Sequence, residues 1–390
     1  MSFLIIFSVL LFLASLCTLF QTLWGSLKMK NLGEVQATPC THAPLVSIIV
    51  PACNEETTLE PALRSLLKQD YLNREIIVID DRSTDGTFEL LQKLGQEFPE
   101  IRVEQVTELP MGWLGKNHAL YRGAKQARGE VLLFTDADVI MEPSTLSRAV
   151  AYLVDEKLDH LSLIFRNVAQ GGLLNAMVVD ALGGLFFLLK PWNVRKARSR
   201  AFVGVGAFNM ILSKAYWKLG GHAALQMHPI DDIMLGKKVK QQGLTQDCLL
   251  GGAFVQVRWY ETVAEMVRGL MKNIFALYSY RIGYVAAGLV GIIIMTIVPF
   301  WGLLLTRGTA TIFFGLTVLC RFAVFACNAR AVKGGPGLLL WSLLTPYLIV
   351  YIVITAVWTT IRNQGIDWRG THYSLQELKK QEPLLTPFLK

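Results

Sequence analysis

Two aspartates separated by one residue follow a short apolar run in the first half of the chain. The run is Val131–Thr135, and the aspartates are Asp136 and Asp138. Two carboxylates on a tight turn can face the same hard cation, so the pattern indicates a site for Mg2+ or Mn2+, which would neutralise a departing diphosphate. Paired aspartates are also common in solvated turns. The place of this pair at the end of a buried strand is what favours metal binding.

A second acidic pair, Asp80-Asp81, ends another apolar run. Asp81 is predicted to contact a nucleotide, together with the neighbouring Arg82. Ser83 and Asp85 follow, and both are residue types that commonly cap helices. We therefore expect Ser83 and Asp85 to cap the turn and the helix that begins after them.

The loop after the first apolar run carries Pro51, Asn54 and Glu55. The side chains of Asn54 and Glu55 could hydrogen-bond a base or a ribose, or could simply begin the next helix. Further along, Lys116 precedes a predicted helix N-terminus, and a cation and a helix end both attract phosphate. Taken alone, Lys116 would be interpreted as a solvated surface lysine, and its neighbours are what favour phosphate binding.

The elements that position these side chains alternate between short apolar runs and segments of helical periodicity. Strands that are apolar on both faces and alternate with helices predict an α/β domain, with a mostly parallel sheet covered by helices on both faces. Ligands bind at the carboxyl ends of the strands in such sheets, where these polar loops fall. The predicted strands are Leu45–Val50, Glu75–Asp80, Ile101–Val106 and Val131–Thr135, and the predicted helices are Glu56–Gln69, a segment through Leu94, and Asn117–Arg128.

In order and spacing, the motifs resemble the family 2 inverting glycosyltransferases of the GT-A fold. The resemblance covers roughly residues 45–275, and Gly112–Asn117 and Trp368–Tyr373 make it closer to the membrane-bound, lipid-modifying branch. That branch includes carotenoid-acid, hopanoid-associated and ceramide glycosyltransferases. The matching segments are Val46–Glu55, Ile79–Asp85, Asp136–Asp138, Gly204–Asn209, Lys218–His222 and Ile230–Asp232.

The resemblance implies inverting, metal-dependent transfer of a hexose from a nucleotide-diphosphate sugar, with UDP-glucose favoured, to a membrane lipid. Asp81 and Glu55 would hold the nucleoside, Asp138 would bind the metal, and Asp232 would take the acceptor proton. Asp136 would contact the donor sugar or ribose and share in metal binding. The implied donor-side residues are Pro51, Asn54, Glu55, Asp81, Lys116 and Asp136, the metal ligands are Asp138 and Asp136, the catalytic residues are Asp232 (the base) and Asp231, and the acceptor-side residues are Gly206, Ala207, Arg268 and Lys272.

Asp231 and Asp232 could instead cap the helix that follows them. We expect one of the two to do so, and Asp231 is the better candidate. Processive relatives carry a QxxRW signature beside the acceptor, whereas Gln256-Val257-Arg258-Trp259 is one residue short of it. This difference favours addition of single sugars over synthesis of a polysaccharide.

Hydrophobic residues make up 52% of the 390 residues and charged residues 17%, which is apolar for a soluble enzyme. Four segments are predicted to span a membrane. Lys28 and Lys30 follow the first of them, which places the N-terminus outside and the catalytic domain in the cytoplasm of a multi-pass cell-membrane protein. The predicted spans are Phe3–Trp24, Ala286–Leu305, Thr309–Cys327 and Leu338–Trp358.

Two further apolar segments contain or adjoin charge. Gly171–Leu189 encloses Asp180, which would be costly in a span, so it is interpreted as an interfacial helix or an ordinary core helix. Glu261–Tyr280 is predicted to lie at the membrane interface. If the C-terminal tail lies near the catalytic domain, one predicted span must not cross, and Thr309–Cys327 is the weakest of them because it carries Arg321.

These patterns divide the chain into six regions: an anchor (1–27), a linker (28–44), the catalytic domain (45–260), an interfacial helix (261–285), a C-terminal membrane region (286–360) and a tail (361–390). The linker contains Gly33, Pro39 and Pro44 and is predicted to run free of the core.

The net charge of +8 suits anionic lipid headgroups and phosphate-rich ligands. Nucleic acid is excluded as a partner, since the chain has no basic arm, zinc-ligand spacing or aromatic RNA-binding signature. Six scattered cysteines without CxxC spacing exclude a disulfide or zinc framework. A lipid glycosyltransferase is therefore the leading hypothesis, with a polysaccharide synthase and a catalytically silent nucleotide-sugar-binding scaffold as alternatives.

Overall fold

The computed structural model describes residues 3–37, 43–332, 335 and 337–384. Its contacts divide the chain into two compact units. The first, which we call the helical unit, consists of Met1–Lys28, Asn167–Lys190 and Trp259–Ile366. The second, the sheet unit, consists of Met29–Arg166, Pro191–Arg258 and Asp367–Lys390.

The helices are α1 (Phe3–Lys28), α2 (Leu59–Leu67), α3 (Thr87–Glu97), α4 (Gly115–Gln126), α5 (Thr145–Asp155), α6 (Gly172–Leu189), α7 (Ser213–Lys218), α8 (Asp231–Gln241), α9 (Val263–Leu277), α10 (Ile282–Ile292), α11 (Val298–Leu305), α12 (Thr309–Asn328), α13 (Leu338–Trp341), α14 (Thr345–Arg362) and α15 (Leu375–Lys379). The strands are β1 (Val46–Ala52), β2 (Arg74–Asp81), β3 (Ile101–Val106), β4 (Val131–Phe134), β5 (Ile140–Met141), β6 (His160–Asn167), β7 (Asn209–Leu212), β8 (Gln246–Val257), β9 (Gly365–Trp368) and β10 (Thr371–Ser374).

The sheet unit is built on one eight-stranded sheet with the order β3-β2-β1-β4-β7-β6-β8-β5. β1 pairs in parallel with β2 and β4, and β2 with β3, while β7 runs antiparallel to β4 and β6. The predicted α/β sheet is therefore confirmed, and antiparallel strands extend it on one side. The carboxyl ends of the four parallel strands share one edge, which brings their polar loops together.

β1 and β2 form in the interior of the sheet because most of their side chains are apolar on both faces. Ile48, Ile49 and Val50 of β1 and Ile76 and Ile77 of β2 are all at most 1% exposed. Since successive side chains of a strand point to opposite faces, both faces of the sheet are covered.

The sequence predicted that the stretch after α1 runs free of the core, and this prediction is wrong. Leu32 is fully buried, and the amide of Leu250 on β8 donates to the carbonyl of Lys30 at 2.9 Å. An apolar side chain beside the glycine outweighs the linker-like composition, because burying it is worth about 2 kcal/mol. Pro39, also named in that prediction, lies outside the described residues.

The helical unit contains apolar helices that pack on one another. Leu11 of α1 packs with Ala310 and Phe314 of α12 in a buried cluster. Five helical segments in the described residues are long and apolar enough to cross a membrane by length and composition: Phe3–Lys28, Gly172–Asn193, Ile282–Leu305, Thr309–Asn328 and Thr345–Arg362.

The predicted span Leu338–Trp358 is not one helix. It breaks after α13, and α14 begins at Thr345 with Pro346 in its first turn. Proline lacks an amide hydrogen and clashes with a preceding turn, so it is accommodated at a helix start. A hydropathy pattern alone does not reveal such a break.

Asp180 of α6 is paired within the helical unit. Its Oδ2 lies 3.0 Å from a guanidinium nitrogen of Arg321 on α12 and also accepts from the hydroxyl of Thr345. The two charges that counted against α6 and α12 as spans therefore compensate each other.

Candidate active site

Lys116, in the first turn of α4, places a positive charge at the carboxyl edge of the sheet. Its Nζ lies 2.7 Å from Oδ1 of Asp136, which follows β4, and 3.8 Å from Oδ1 of Asp231 at the start of α8. Burial lowers the pKa of Lys116, but the charges of Asp136, Asp231 and Asp232 outweigh it and raise the pKa above its usual range. The ammonium is therefore fixed in the charged state.

Gly206 marks the point at which these side chains converge. Its amide donates to Oδ2 of Asp232 at 2.8 Å. A Cβ at this position would stand 2.8 Å from Oδ2 of Asp136, 3.4 Å from Oδ2 of Asp232 and 3.5 Å from Nζ of Lys116. The side chains that follow β4 and those that begin α4 and α8 thus meet around one glycine. The neighbouring Ala207 contributes its carbonyl, which accepts from Thr135 at 2.8 Å.

Asp232 has the environment of a general base. Burial raises its pKa to about 7, and the charge of Asp231 adds to this effect. Its Oδ1 accepts from the amide of Ile233 at 2.8 Å, and its Oδ2 accepts from Gly206. A carboxylate held in this way can take a proton near neutral pH.

Asp231 does not cap α8, contrary to the prediction. Its carboxylate faces Lys116 and lies 3.7 Å from Nε2 of His222. Burial opposes its ionisation, but Lys116 and His222 outweigh burial and lower its pKa. The carboxylate of Asp231 is directed to Lys116 and His222, and it is Asp232 that accepts from the amide of Ile233.

Asp138 completes the acidic pair after β4. Burial raises its pKa, and the charges of Asp136 and Glu55 raise it further. Carboxylates that repel one another in this way are suited to a divalent cation. No cluster of three or more His, Cys, Asp or Glu side chains with ligand geometry occurs among the described residues. Two carboxylates nevertheless fit Mg2+ or Mn2+, because Mg2+ commonly takes its remaining ligands from substrate phosphates and water.

Asp81, predicted to hold the nucleoside, is bound by its own neighbour. Nε of Arg82 lies 2.8 Å from its Oδ1, and a second nitrogen of Arg82 lies 3.1 Å from its Oδ2. The backbone φ of Arg82 is +56°, which a residue other than glycine or asparagine adopts at a cost. The sequence indicated both residues but not that they form a bidentate pair.

Asn54 holds the loop after β2. Its Oδ1 accepts from the amide of Thr84 at 2.8 Å, and its own amide donates to Oγ of Ser83 at 3.0 Å. Ser83 therefore fastens the loop and does not cap α3. Asp85 accepts from the amide of Thr87, the first residue of α3, at 3.0 Å, while the N-cap position itself is Gly86. Pro51 lies within β1, opposite Ile79 of β2.

Arg268 and Lys272 lie on α9 in the helical unit, and their acceptor-side role stays a prediction. Sequence reasoning missed the contacts of the C-terminal tail with the loops that are predicted to lie on the donor side. Arg369 pairs with Glu55, and Tyr373 accepts from the amide of Gly115 at 3.2 Å. The segment Trp368–Tyr373 was the available signal.

Comparisons with known proteins give matches over most of the chain. The sequence model described as glycosyl transferase family 21 matches residues 9–381. The 4,4'-diaponeurosporenoate glycosyltransferase of Staphylococcus aureus (strain MRSA252) is 25% identical over 347 residues, covering 85% of this chain and 89% of that protein. The protein of the same name from Staphylococcus haemolyticus (strain JCSC1435) is 28% identical over 247 residues, and the chain spans only 60% of that relative. The resemblance to carotenoid-acid glycosyltransferases agrees with these names, while the matching model is that of family 21 and not family 2.

A solved structure shares the fold. It is the mannosyltransferase PcManGT from Pyrobaculum calidifontis in complex with GDP-Man and Mn2+, with a TM-score of 0.53, 18% identity, and coverage of 91% of this chain and 99% of that chain. The predicted GT-A type of α/β fold is thereby confirmed.

Proposed function

This chain belongs to glycosyl transferase family 21, and from that membership we propose that it moves a sugar from a nucleotide-diphosphate donor to a lipid acceptor at a membrane. The observation that carries the proposal is the convergence of Lys116, Asp136 and Asp232 at Gly206. A cation, a carboxylate suited to a metal and a base meet there at the carboxyl edge of one sheet.

Asp232 is the proposed base. A proton passes from the acceptor hydroxyl to its carboxylate while the hydroxyl oxygen bonds to the anomeric carbon of the sugar. The bond from that carbon to the donor phosphate oxygen breaks, and its electron pair leaves with the diphosphate. Attack opposite the leaving group inverts the anomeric configuration. An acceptor that is an ionised carboxylate needs no such proton transfer.

Lys116 offers a fixed positive charge to the departing diphosphate, because Asp136, Asp231 and Asp232 keep it protonated. A divalent cation held by Asp138 and Asp136 would supply further electrostatic stabilisation of the leaving group. We propose Mg2+ or Mn2+ as the metal. We propose UDP-glucose as the donor, on the resemblance of the motifs.

A lipid acceptor is supported by the names of the relatives and by the five apolar helices long enough to cross a membrane. We place the enzyme in the cell membrane as a multi-pass protein with its sheet unit on the cytoplasmic face. Lys28 and Lys30, directly after α1, support that orientation.

The test uses membranes that contain the full chain, a panel of labelled nucleotide sugars and the host's lipid extract. We expect label to enter the organic phase in an EDTA-sensitive reaction. Asp138→Asn should abolish it, and Asp232→Asn should abolish transfer to a hydroxyl acceptor. Asp155→Asn, a change at an exposed aspartate of the same unit, serves as the matched control and should leave transfer intact.

Other outcomes separate the alternative functions. Label in a water-soluble polymer would indicate a polysaccharide synthase. Binding of donor without transfer to any lipid of the extract would favour a silent scaffold. Transfer that survives EDTA would remove the metal from the proposal and leave the base in place.

A further inference from the structure

The C-terminal segment of the sheet unit, residues 367–384, contacts three loops on the predicted donor side. We call this segment the C-terminal arm. Arg369 pairs with Glu55 and donates to the carbonyl of Asn54 at 3.4 Å. Thr371 accepts from Arg82 at 3.1 Å. The arm therefore meets the loop after β1 and the loop after β2, and Tyr373 extends the contact to the start of α4 through the amide of Gly115.

The arm is fixed to the sheet unit at its other end as well. Oε1 of Glu382 lies 2.7 Å from Nζ of the fully buried Lys237 and accepts from Gln241 at 2.7 Å. The carbonyl of Glu382 lies 2.8 Å from Nε2 of His228. Leaving a buried ammonium without a partner is costly, so this end is firmly held.

The arm contacts charged side chains on the predicted donor side. Oε2 of Glu55 accepts from the hydroxyl of Thr58 at 2.6 Å, and Arg369 holds its other oxygen. Arg82 is held by Asp81 through two nitrogens and by Thr371 through a third. A carboxylate has about four acceptor sites, so Glu55 retains capacity for further donors.

The guanidinium groups of Arg82 and Arg369 both act on the electrostatic environment of Cys53. Burial raises the pKa of the Cys53 thiol, and the next effects on it come from the charges of Asp81, Arg369 and Arg82. Guanidinium groups suit phosphates and the faces of bases, and carboxylates suit ribose hydroxyls. A nucleoside diphosphate presents all three kinds of group.

We propose that the C-terminal arm is part of the donor site, and that Arg369 is a positioning residue that orients Glu55 toward a nucleoside diphosphate. This inference rests on the proposed function, since it deepens the account of the same site. The competing interpretation is that the arm only stabilises the fold.

The test compares Arg369→Ala with Arg195→Ala in the full-length, detergent-solubilised protein. Arg195 is a matched control, because it forms a similar half-exposed pair with Glu156 in the same unit. Dissociation constants for UDP and GDP are measured by calorimetry, donor KM and kcat by transfer assays, and thermal midpoints by a melting assay.

Without Arg369, Glu55 loses the partner that orients it, and loss of its hydrogen bond to the nucleotide should weaken binding about tenfold or more. We expect Arg369→Ala to weaken nucleotide binding and raise donor KM by that factor, with kcat and thermal midpoint close to those of Arg195→Ala. Arg369→Lys should recover part of the affinity. Unchanged nucleotide binding in Arg369→Ala would overturn the proposal. A lowered thermal midpoint together with unchanged binding would show that the arm only stabilises the fold.

Direct binding separates this inference from the proposed function. If the wild type binds UDP or GDP but transfers no sugar, the proposed function fails. Weaker nucleotide binding by Arg369→Ala would then still support the role of the arm. If the wild type transfers sugar and Arg369→Ala is unaffected, only the role of the arm fails. If the wild type binds neither nucleotide, the inference is wrong whatever the transfer assay gives.

Discussion

Gly206 has room for a hydrogen atom but not for a methyl group. A Cβ there would stand 2.8 Å from Asp136 Oδ2, closer than real Cβ atoms approach. Gly206→Ala should therefore displace Asp136 or Asp232 and reduce transfer about a hundredfold, since small misplacements of reacting groups are that costly. Initial rates at saturating donor measure the effect.

Gly95→Ala is the control for this change. A Cβ at Gly95 meets Val103 Cγ2 at an ordinary 3.4 Å, and the position lies inside α3. Activity should be unchanged, and stability should rise by about 0.5–1 kcal/mol. Equal activity of Gly206→Ala and wild type would show that the convergence at Gly206 is not needed for catalysis.

The raised pKa of Asp232 predicts an acidic limb in the pH–rate profile. A base acts only when deprotonated, so kcat/KM for a hydroxyl acceptor should rise with pH through the pKa of about 7. An ordinary aspartate would place this limb about three units lower. Asp232→Glu should retain some activity and move the limb. A profile that is flat between about pH 5 and 8 would argue against Asp232 as the base.

At the scale of elements, Glu75 of β2 connects strands that the sequence showed only as separate runs. It accepts from Ser47 of β1 at 2.6 Å, from the amide of Arg128 at 2.7 Å and from Arg102 of β3 at 3.0 Å. Burial raises its pKa, but the hydrogen bonds from Ser47 and Arg128 outweigh burial and lower it. Its charge therefore stabilises the folded state.

Glu75→Gln should destabilise the protein by about 1–3 kcal/mol at neutral pH, because buried donors lose a charged partner. A lowered folded pKa gives stability that is present above the unfolded pKa and lost as pH falls through the folded one. The difference from wild type should therefore shrink in acid. Denaturant unfolding at several pH values measures it, and Glu97→Gln, at an exposed pair with Arg64, should change stability much less.

The Asp180–Arg321 pair joins α6 to α12 within the helical unit. Asp180→Asn leaves a partly buried guanidinium without its counter-charge, so the thermal midpoint in detergent should fall clearly. The double variant Asp180→Leu with Arg321→Met should recover part of the loss, because apolar pairs often replace buried ion pairs at little cost. A change at the exposed Arg307, Arg307→Met, is the control. No recovery in the double variant would mean that the pair has a role beyond mutual neutralisation.

At the scale of the whole molecule, the order of the chain restricts the number of membrane crossings. The sheet unit contains residues on both sides of α6 and on both sides of the segment from α9 to α14. If that unit lies on one face, each intervening stretch crosses the membrane an even number of times. The first stretch contains one candidate span, α6, and the second contains three. An even number of crossings then means that α6 does not cross the membrane and that one of the three candidates in the second stretch does not cross it either.

We expect the uncrossed helix of the second stretch to be α14 and not α12. Its mean hydropathy is 1.3, against 2.0 for α12 and 2.3 for Ile282–Leu305, and it exposes Tyr351 and Trp358. α12, which carries the Arg321 that had made it doubtful, packs along α1 through Phe314. Aromatic side chains of this kind favour the membrane interface.

Accessibility in sealed vesicles tests this topology. A tag after Lys390, a residue outside the described part of the chain, should share the face of a cysteine placed at Asp155. A cysteine placed at Gly308, between α11 and α12, should be labelled from the opposite face. A tag on the face of Gly308 would contradict the even count.

The sequence by itself determined the local parts of this protein. Apolar runs specify buried strands, the rule that ligands bind at strand ends singled out Asp136 and Asp138, and a predicted helix start indicated Lys116. Each of these signals depends on a short stretch of chain. Only the tertiary structure decided which distant groups meet. Arg369 reaches Glu55 across 314 residues and Arg321 reaches Asp180 across 141. Partners at such separations depend on how the whole chain packs, which no local pattern encodes.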